Sequence, residues 1–345
     1  MTTRDDGNDL VVQLHHCCTD GKGFLLFIED LLIAYETQQK SLKSSATLRR
    51  LEPQRLLNRG TPELHGWKCV TAILMQIGVV GEVCRFFMRT PVPLTNTHHR
   101  FTEKLLPATD TAAPLFFTFE YNDTRQLLST AKYFKATLNE LLLRDLYLAV
   151  GAWRERKGVG HEGGWLRFSI PVNLRGPEEE KMPMANCISL LFHDWRRQDF
   201  TDRASLLQSI RAFMNSIKRL YRKYTFLFSV GAARFLPGGL SRFTRNSKCY
   251  ATTCFSNVGK VLDRIPLPLS DGKVVAGNVL LQSIDIVPPP LRPLMEASFV
   301  AYTYAGRLHV GLKYNSRAVS HQDARELLEM FVIEIRRTMQ EGSEQ

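Results

Sequence analysis

Alternating strand-like and helix-like patterns place the chain in the mixed α/β (α+β) class, and three stretches carry that reading. An apolar run with two β-branched valines, Leu10-Val11-Val12, leads into an amphipathic helical pattern over residues 24–35. A second strand-helix series starts at Leu115-Phe116-Phe117-Thr118-Phe119-Glu120. The last third reads strand, turn, strand, helix: residues 297–304 and 308–314 around Ala305-Gly306-Arg307, then a helix from Ser320. There is no internal repeat or low-complexity tract. At 345 residues, 44% hydrophobic and 23% charged, the chain can bury one large core or two moderate ones. The expected division is 1–114 and 115–345.

Each element follows from its residues. Phe24, Phe27, Ile28, Leu31, Leu32 and Tyr35 predict one apolar helix face, with Glu29 and Asp30 turned outward; a polar loop follows from 38 to about 59. Residues 67–88 are strongly apolar but contain Lys68, Gln76, Glu82 and Arg85. Charges at those depths are costly in hydrocarbon. A buried or groove-lining helix is expected there, and contact with a membrane interface stays open. Residues 90–114, rich in Pro and Thr, read as a connector. His98-His99 within it lacks a carboxylate or Cys at ligand spacing, so no metal site is expected. Thr137 and Glu140 make a capping box for a helix that is apolar nearly all round to Val150 and should be buried. Ser320 and Asp323 repeat the capping pattern before Ala324, Leu327, Leu328, Phe331 and Ile335, which share one face.

The net charge is +11. Basic residues are scattered among acids, with concentrations at Arg49-Arg50, Arg196-Arg197 and 218–223. No aromatic-interleaved basic stripe is present, so nucleic acid is not an expected partner. Seven Cys without a C-x-x-C pair predict reduced thiols and a cytoplasmic setting. The first eight residues lack the apolar core of a signal peptide.

Chemistry is concentrated in Leu14-His15-His16-Cys17-Cys18-Thr19-Asp20-Gly21, an H-H-x-x-x-D-G string between the predicted strand and helix. By itself Asp20 reads as an N-cap whose carboxylate accepts amides of the first helical turn. Cys17 and Cys18, at the variable positions, read as packing residues. Four further strings accompany it: Thr137-Leu138-Asn139-Glu140-Leu141-Leu142-Leu143; Pro171-Val172-Asn173-Leu174-Arg175-Gly176; Met184-Ala185-Asn186-Cys187-Ile188-Ser189; and Phe255-Ser256-Asn257-Val258-Gly259.

With these strings the chain resembles the superfamily of CoA-dependent acyltransferases. That superfamily includes chloramphenicol acetyltransferase, bacterial wax ester synthases, alcohol acetyltransferases and the condensation domains of peptide synthetases. The resemblance implies a two-subdomain, chloramphenicol-acetyltransferase-like sandwich with an active-site tunnel at the subdomain interface. It implies an acyl group moving from a CoA or carrier thioester to an alcohol or amine, without a covalent acyl-enzyme. His16 takes the role of general base, since imidazole is the side chain whose ordinary pKa lies near neutrality. His15 and Gly21 become supporting residues, and Asp20 pairs with Arg175 to brace the motif loop. Ser256 becomes the hydroxyl facing the tetrahedral oxyanion, with Asn257 as a helper. No permanently bound cofactor or metal is implied. Acyl-CoA or acyl-phosphopantetheine would be the co-substrate, and the basic balance suits its phosphates or a lipid surface. The D-F-G-W-G string of plant acyltransferases is missing.

Relatives carry several strands and a helix before the H-H-x-x-x-D-G strand. Only residues 1–9 precede the run here, which implies an incomplete first subdomain. Two readings therefore stand: an acyltransferase, or a truncated, catalytically silent condensation-like protein acting as a binding module. An incomplete subdomain would leave the 10–14 strand without neighbours and the chain poorly soluble or inactive.

Overall fold

A computed structural model describes residues 2–4, 7–39, 46–61, 64–95, 112–159, 164–176, 181–199, 202–219, 221–239, 241, 248–288, 291 and 294–342. A short hairpin, β1 (Thr2–Arg4) and β2 (Gly7–Asp9), precedes α1 (Gly21–Gln38). Helices α2 (Trp67–Met75) and α3 (Val80–Met88) are joined by a 3-10 turn, Ile77–Val79. Then come β3 (Leu115–Thr118), α4 (Tyr121–Tyr133), α5 (Leu138–Arg156), β4 (Trp165–Asn173) and β5 (Ile188–Arg196). They are followed by α6 (Arg203–Arg219), α7 (Thr225–Ala233) and β6 (Thr253–Lys260). The chain ends in β7 (Leu269–Ser270), β8 (Lys273–Ala276), β9 (Val279–Leu280), β10 (Ala297–Tyr304), β11 (Arg307–Tyr314) and α8 (His321–Glu341).

Six strands form one mixed sheet in the order β3-β11-β10-β6-β4-β5. β6 lies parallel to both β10 and β4, and the other pairs are antiparallel. The β10–β11 turn is Ala305-Gly306 with φ of 48° and 75°, both positive as a two-residue hairpin turn requires. Gly306 is needed twice over, because a Cβ there would stand 2.7 Å from the Tyr121 ring.

Each face of the sheet has its own core. On one, the α5 residues Leu142, Leu146 and Trp153 and the α8 residues Leu327, Phe331 and Ile335 pack against Phe168, Phe255, Phe299 and Val310. The full capping box of Thr137 and Glu140 starts α5. Ser320 caps α8 through Asp323 N, and the Asp323 carboxylate accepts back from the Ser320 backbone while also pairing with Lys157. On the other face, Leu25 and Ile33 of α1 meet Val300, Tyr302 and Tyr304 of β10, with Val274 and Ala276 from the small sheet β7-β8-β9. The two tyrosine hydroxyls donate to the carbonyls of Ile284 (2.6 Å) and Leu281 (2.7 Å), so burying them leaves no orphan donor.

Four expectations change. Residues 10–14 are not a strand: Leu10, Val11 and Leu14 are exposed. Among the described residues no strand runs beside them, and β propensity is expressed only where cross-strand partners exist. The buried face of α1 is Leu25, Leu26 and Ile33 rather than the face through Phe27, Leu31 and Tyr35, which are exposed. Apolar residues surround this helix, so periodicity alone could not orient it. Glu29 and Asp30 bind Arg49, at 3.1 and 3.0 Å, rather than facing only solvent. Residues 67–88 are neither one helix nor buried; they break at Ile77–Val79 and show most of their apolar side chains to the outside. His98 and His99 lie outside the described residues.

Candidate active site

The ladder between β4 and β6 lasts for only two residue pairs, Phe168–Thr253 and Ser169–Cys254. Beyond it β4 continues with β5, and β6 continues with β10, so the sheet forks. The H-H-x-x-x-D-G turn sits over that fork at the N-terminus of α1. Asp20 fastens it to the β4–β5 arm, and Gly21 rests against the β6 arm, where an added Cβ would lie 3.9 Å from Val258.

Asp20 performs two tasks at once. Its Oδ1 accepts from Gly23 N at 2.8 Å, the N-cap of α1. Its Oδ2 accepts from Arg175 Nη1 at 2.8 Å and from Cys187 N at 2.6 Å. Arg175 in turn donates from Nη2 to Ala185 O at 2.8 Å and from Nη1 to Asn173 Oδ1 at 3.1 Å. The P-V-N-L-R and A-N-C strings are thus one clamp on the motif turn. Three charge-assisted hydrogen bonds to a single buried carboxylate keep it from being an uncompensated charge.

His15 is exposed and holds its own turn: Nδ1 accepts from Cys17 N at 3.2 Å and the carbonyl from Cys18 N at 2.8 Å. His16 is half-buried. Asn186 Nδ2 donates to the His16 carbonyl at 2.9 Å and stands 3.4 Å from its Nδ1. Asn186 therefore holds the His16 turn in place, a part to which the sequence alone assigns no residue. Its signal is its place one residue before Cys187, whose amide holds Asp20. Cys17 and Cys18 are not packing residues; both are exposed, because this turn projects from the helix end with its variable positions toward solvent. Cys187 is the buried thiol of the site, and burial pushes its pKa up.

Gly21 and Gly23 exchange importance. Gly21 has room for a side chain. At Gly23 a Cβ would fall 2.6 Å from Thr19 Oγ1 and 2.9 Å from both Ala185 O and Arg175 Nη2, so the clamp closes on a glycine there. Sequence reasoning misses it because only the assembled clamp shows how little space remains.

On the opposite bank Ser256 registers with Val300, whose side chain belongs to the α1-facing core. Phe255, one residue earlier, faces the other core. Strand alternation therefore puts Ser256 on the face that carries the motif turn. No hydrogen bond joins Ser256 to His16 among the described residues. Asn257 Oδ1 accepts from Gly259 N at 2.9 Å, so its carboxamide is engaged in its own strand-end turn.

No protein-family model and no curated protein sequence matches the chain. Its fold is nevertheless found in solved structures. The first condensation domain of the CDA synthetase superposes with a TM-score of 0.57 at 14% identity, over 94% of this chain and 62% of that one. The epimerization domain from the third module of tyrocidine synthetase B gives 0.57 at 13%, over 95% and 68%. A condensation domain of the enacyloxin polyketide synthase gives 0.53 at 12%, over 94% and 57%. The chain thus spans less than two thirds of the first of these. Its mixed α/β architecture, built on the six-stranded sheet, is the condensation-domain fold.

Proposed function

We propose that the chain is an acyltransferase that moves an acyl group from a CoA or carrier thioester to an alcohol or amine. The observation that carries this reading is the Asp20–Arg175 clamp, which fixes the His16 turn over the fork of a condensation-domain sheet. A ring nitrogen of His16 takes the acceptor's proton as the new C–O or C–N bond forms. The resulting oxyanion receives a hydrogen bond from Ser256. The C–S bond then breaks, and the departing thiolate takes the proton back from the imidazolium, leaving His16 neutral. Hydrogen-bond donors already aimed at the place where charge develops typically lower such barriers more than any other single effect.

The setting proposed is cytoplasmic, and the acceptor class includes lipid alcohols. The test is release of free CoA from a panel of acyl-CoAs with and without alcohol and amine acceptors. Detection should be chromatographic, because the exposed Cys17, Cys18 and Cys84 would consume a thiol reagent. Acceptor-dependent release that His16→Ala abolishes supports the reading. The exposure of Leu10, Val11 and Cys17 around the turn favours the silent binding module, which predicts no acceptor-dependent release with any pair.

A further inference from the structure

Within residues 67–88 lies an 18-residue window with a mean hydropathy of 1.6, of which only 11% is buried. Trp67 is 84% exposed, and Leu74, Ile77, Phe87 and Met88 are all exposed. α7 lies alongside. Thr225 donates to Gln76 Oε1 at 2.8 Å, and Phe192 of β5 receives Phe86 from α3 (ring centroids 4.8 Å apart) and Phe226 from α7 (6.1 Å). Just past α7, Phe235 is 89% exposed and Leu236 is exposed beside it. Apolar surface this concentrated marks an interaction site rather than ordinary scatter.

Charge indicates what covers it. The charged residues of 67–88 are Lys68, Glu82 and Arg85. Glu82 is neutralised by Arg222 on the protein side. The charges left facing outward are those of Lys68 and Arg85, with exposed Arg234 next to Phe235 and a chain total of +11 behind them. A second copy of the chain would bring these same cations together, whereas anionic headgroups complement them. By length and composition alone residues 67–88 are apolar enough to cross a bilayer, but a 3-10 turn at Ile77–Val79 interrupts them. Their inner side is committed to the protein through buried Ala72 and through Phe86, which carries the Arg167 guanidinium 4.2 Å above its ring. Trp67, at the start of the segment, is the residue type that prefers the headgroup level.

We propose that α2, α3 and the end of α7 seat this protein on the surface of an anionic bilayer, lying in the interface with Trp67, Leu74, Ile77 and Phe235 inserted. The surface is independent of the acyl-transfer reading, although it would bring the chain to a lipid acceptor.

The test floats the full chain with phosphatidylcholine vesicles and with vesicles that also contain phosphatidylglycerol. Flotation with the anionic vesicles, weakened by salt, is expected, together with a blue shift of tryptophan emission that Trp67→Phe removes. Leu74→Glu combined with Ile77→Glu should reduce partitioning about tenfold or more, since apolar burial is replaced by charge. Circular dichroism checks that the variant folds, and Phe235→Ser serves as the second probe if it does not. Failure to float with either vesicle, or undiminished flotation of variants that fold, would overturn the proposal. So would a concentration-dependent dimer that the same substitutions dissolve, because a second copy would then cover the face. None of these readouts uses thioester turnover, so this proposal and the acyl-transfer reading fail separately.

Discussion

Arg175 reaches Asp20 across 155 residues of sequence and meets its carboxylate at 2.8 Å, with both side chains 1% exposed. Removing one partner of such a pair leaves the other charged in a dry site, which typically costs about 3–5 kcal/mol. Asp20→Ala also removes the N-cap of α1, worth roughly 1 kcal/mol. We expect Asp20→Ala to lower unfolding free energy by an amount in the upper part of that range. Asp20→Asn should cost less, because an amide oxygen can still cap Gly23 N. Urea unfolding of the two variants checks the order, and equal stabilities would show that the ion pair, not the cap, holds the turn.

The two motif glycines should separate cleanly. Gly21→Ala meets only Val258 at ordinary contact distance and should change stability by less than about 1 kcal/mol. Gly23→Ala pushes a methyl group into Thr19, Ala185 and Arg175 and should cost about 1–3 kcal/mol, as overpacking does. Thermal melts of the pair are sufficient. A tolerated Gly23→Ala would mean that the clamp gives way easily.

On turnover, His16→Ala should remove most acceptor-dependent CoA release while leaving the melting temperature near that of the parent, and His15→Ala should have a small effect. Ser256→Ala should lower kcat by roughly ten- to a thousandfold. Asn186→Ala frees the His16 turn without touching substrate, so it should lower kcat more than it raises KM. A fully active Ser256→Ala would leave that serine as an ordinary strand residue.

What can be read from sequence follows from how local each signal is. The β10–β11 hairpin, the α5 capping box and the burial of α5 depend on neighbours a few residues away, and the sequence spacing carries them directly. The pairing of Asp20 with Arg175 is long-range, and it is reached through the resemblance of whole strings rather than through any periodicity. The misread parts depend on the assembled molecule. Residues 10–14 have strand composition but no ladder partner among the described residues. The face of α1 is chosen by how the clamp holds its first turn. Exposure of residues 67–88 cannot be told from burial when the composition is the same. Gly23 and Asn186 matter because of what surrounds them, and neither residue type announces that.

A buried histidine gives the fold a pH dependence that can be measured without any substrate. His193 lies against Phe213, 4.5 Å between ring centroids, and burial pushes its pKa down to about 4, an effect that Asp194 opposes and Arg222 adds to. Tyr147 gives its one hydroxyl proton to the His193 carbonyl at 2.7 Å, so its oxygen can accept from Nδ1 at 3.0 Å, which fits a neutral ring. In the unfolded chain the same imidazole titrates near 6.5. Below that pH the unfolded state takes up a proton that the folded state refuses, so stability falls as pH drops from about 6.5 to about 4 and is flat below. The full loss is roughly 3 kcal/mol. Asp145, pushed by burial from 3.8 up to about 6, acts in the opposite direction: its contribution is greatest at low pH and is lost as pH rises through 6. The total slope is therefore not diagnostic, but the difference between the parent and His193→Gln is, because Asp145 is common to both. Relative to the variant, the parent should gain roughly 3 kcal/mol between pH 4 and 6.5 in denaturant unfolding. A difference that stays constant over that window would mean that His193 is free to take up a proton in the folded protein.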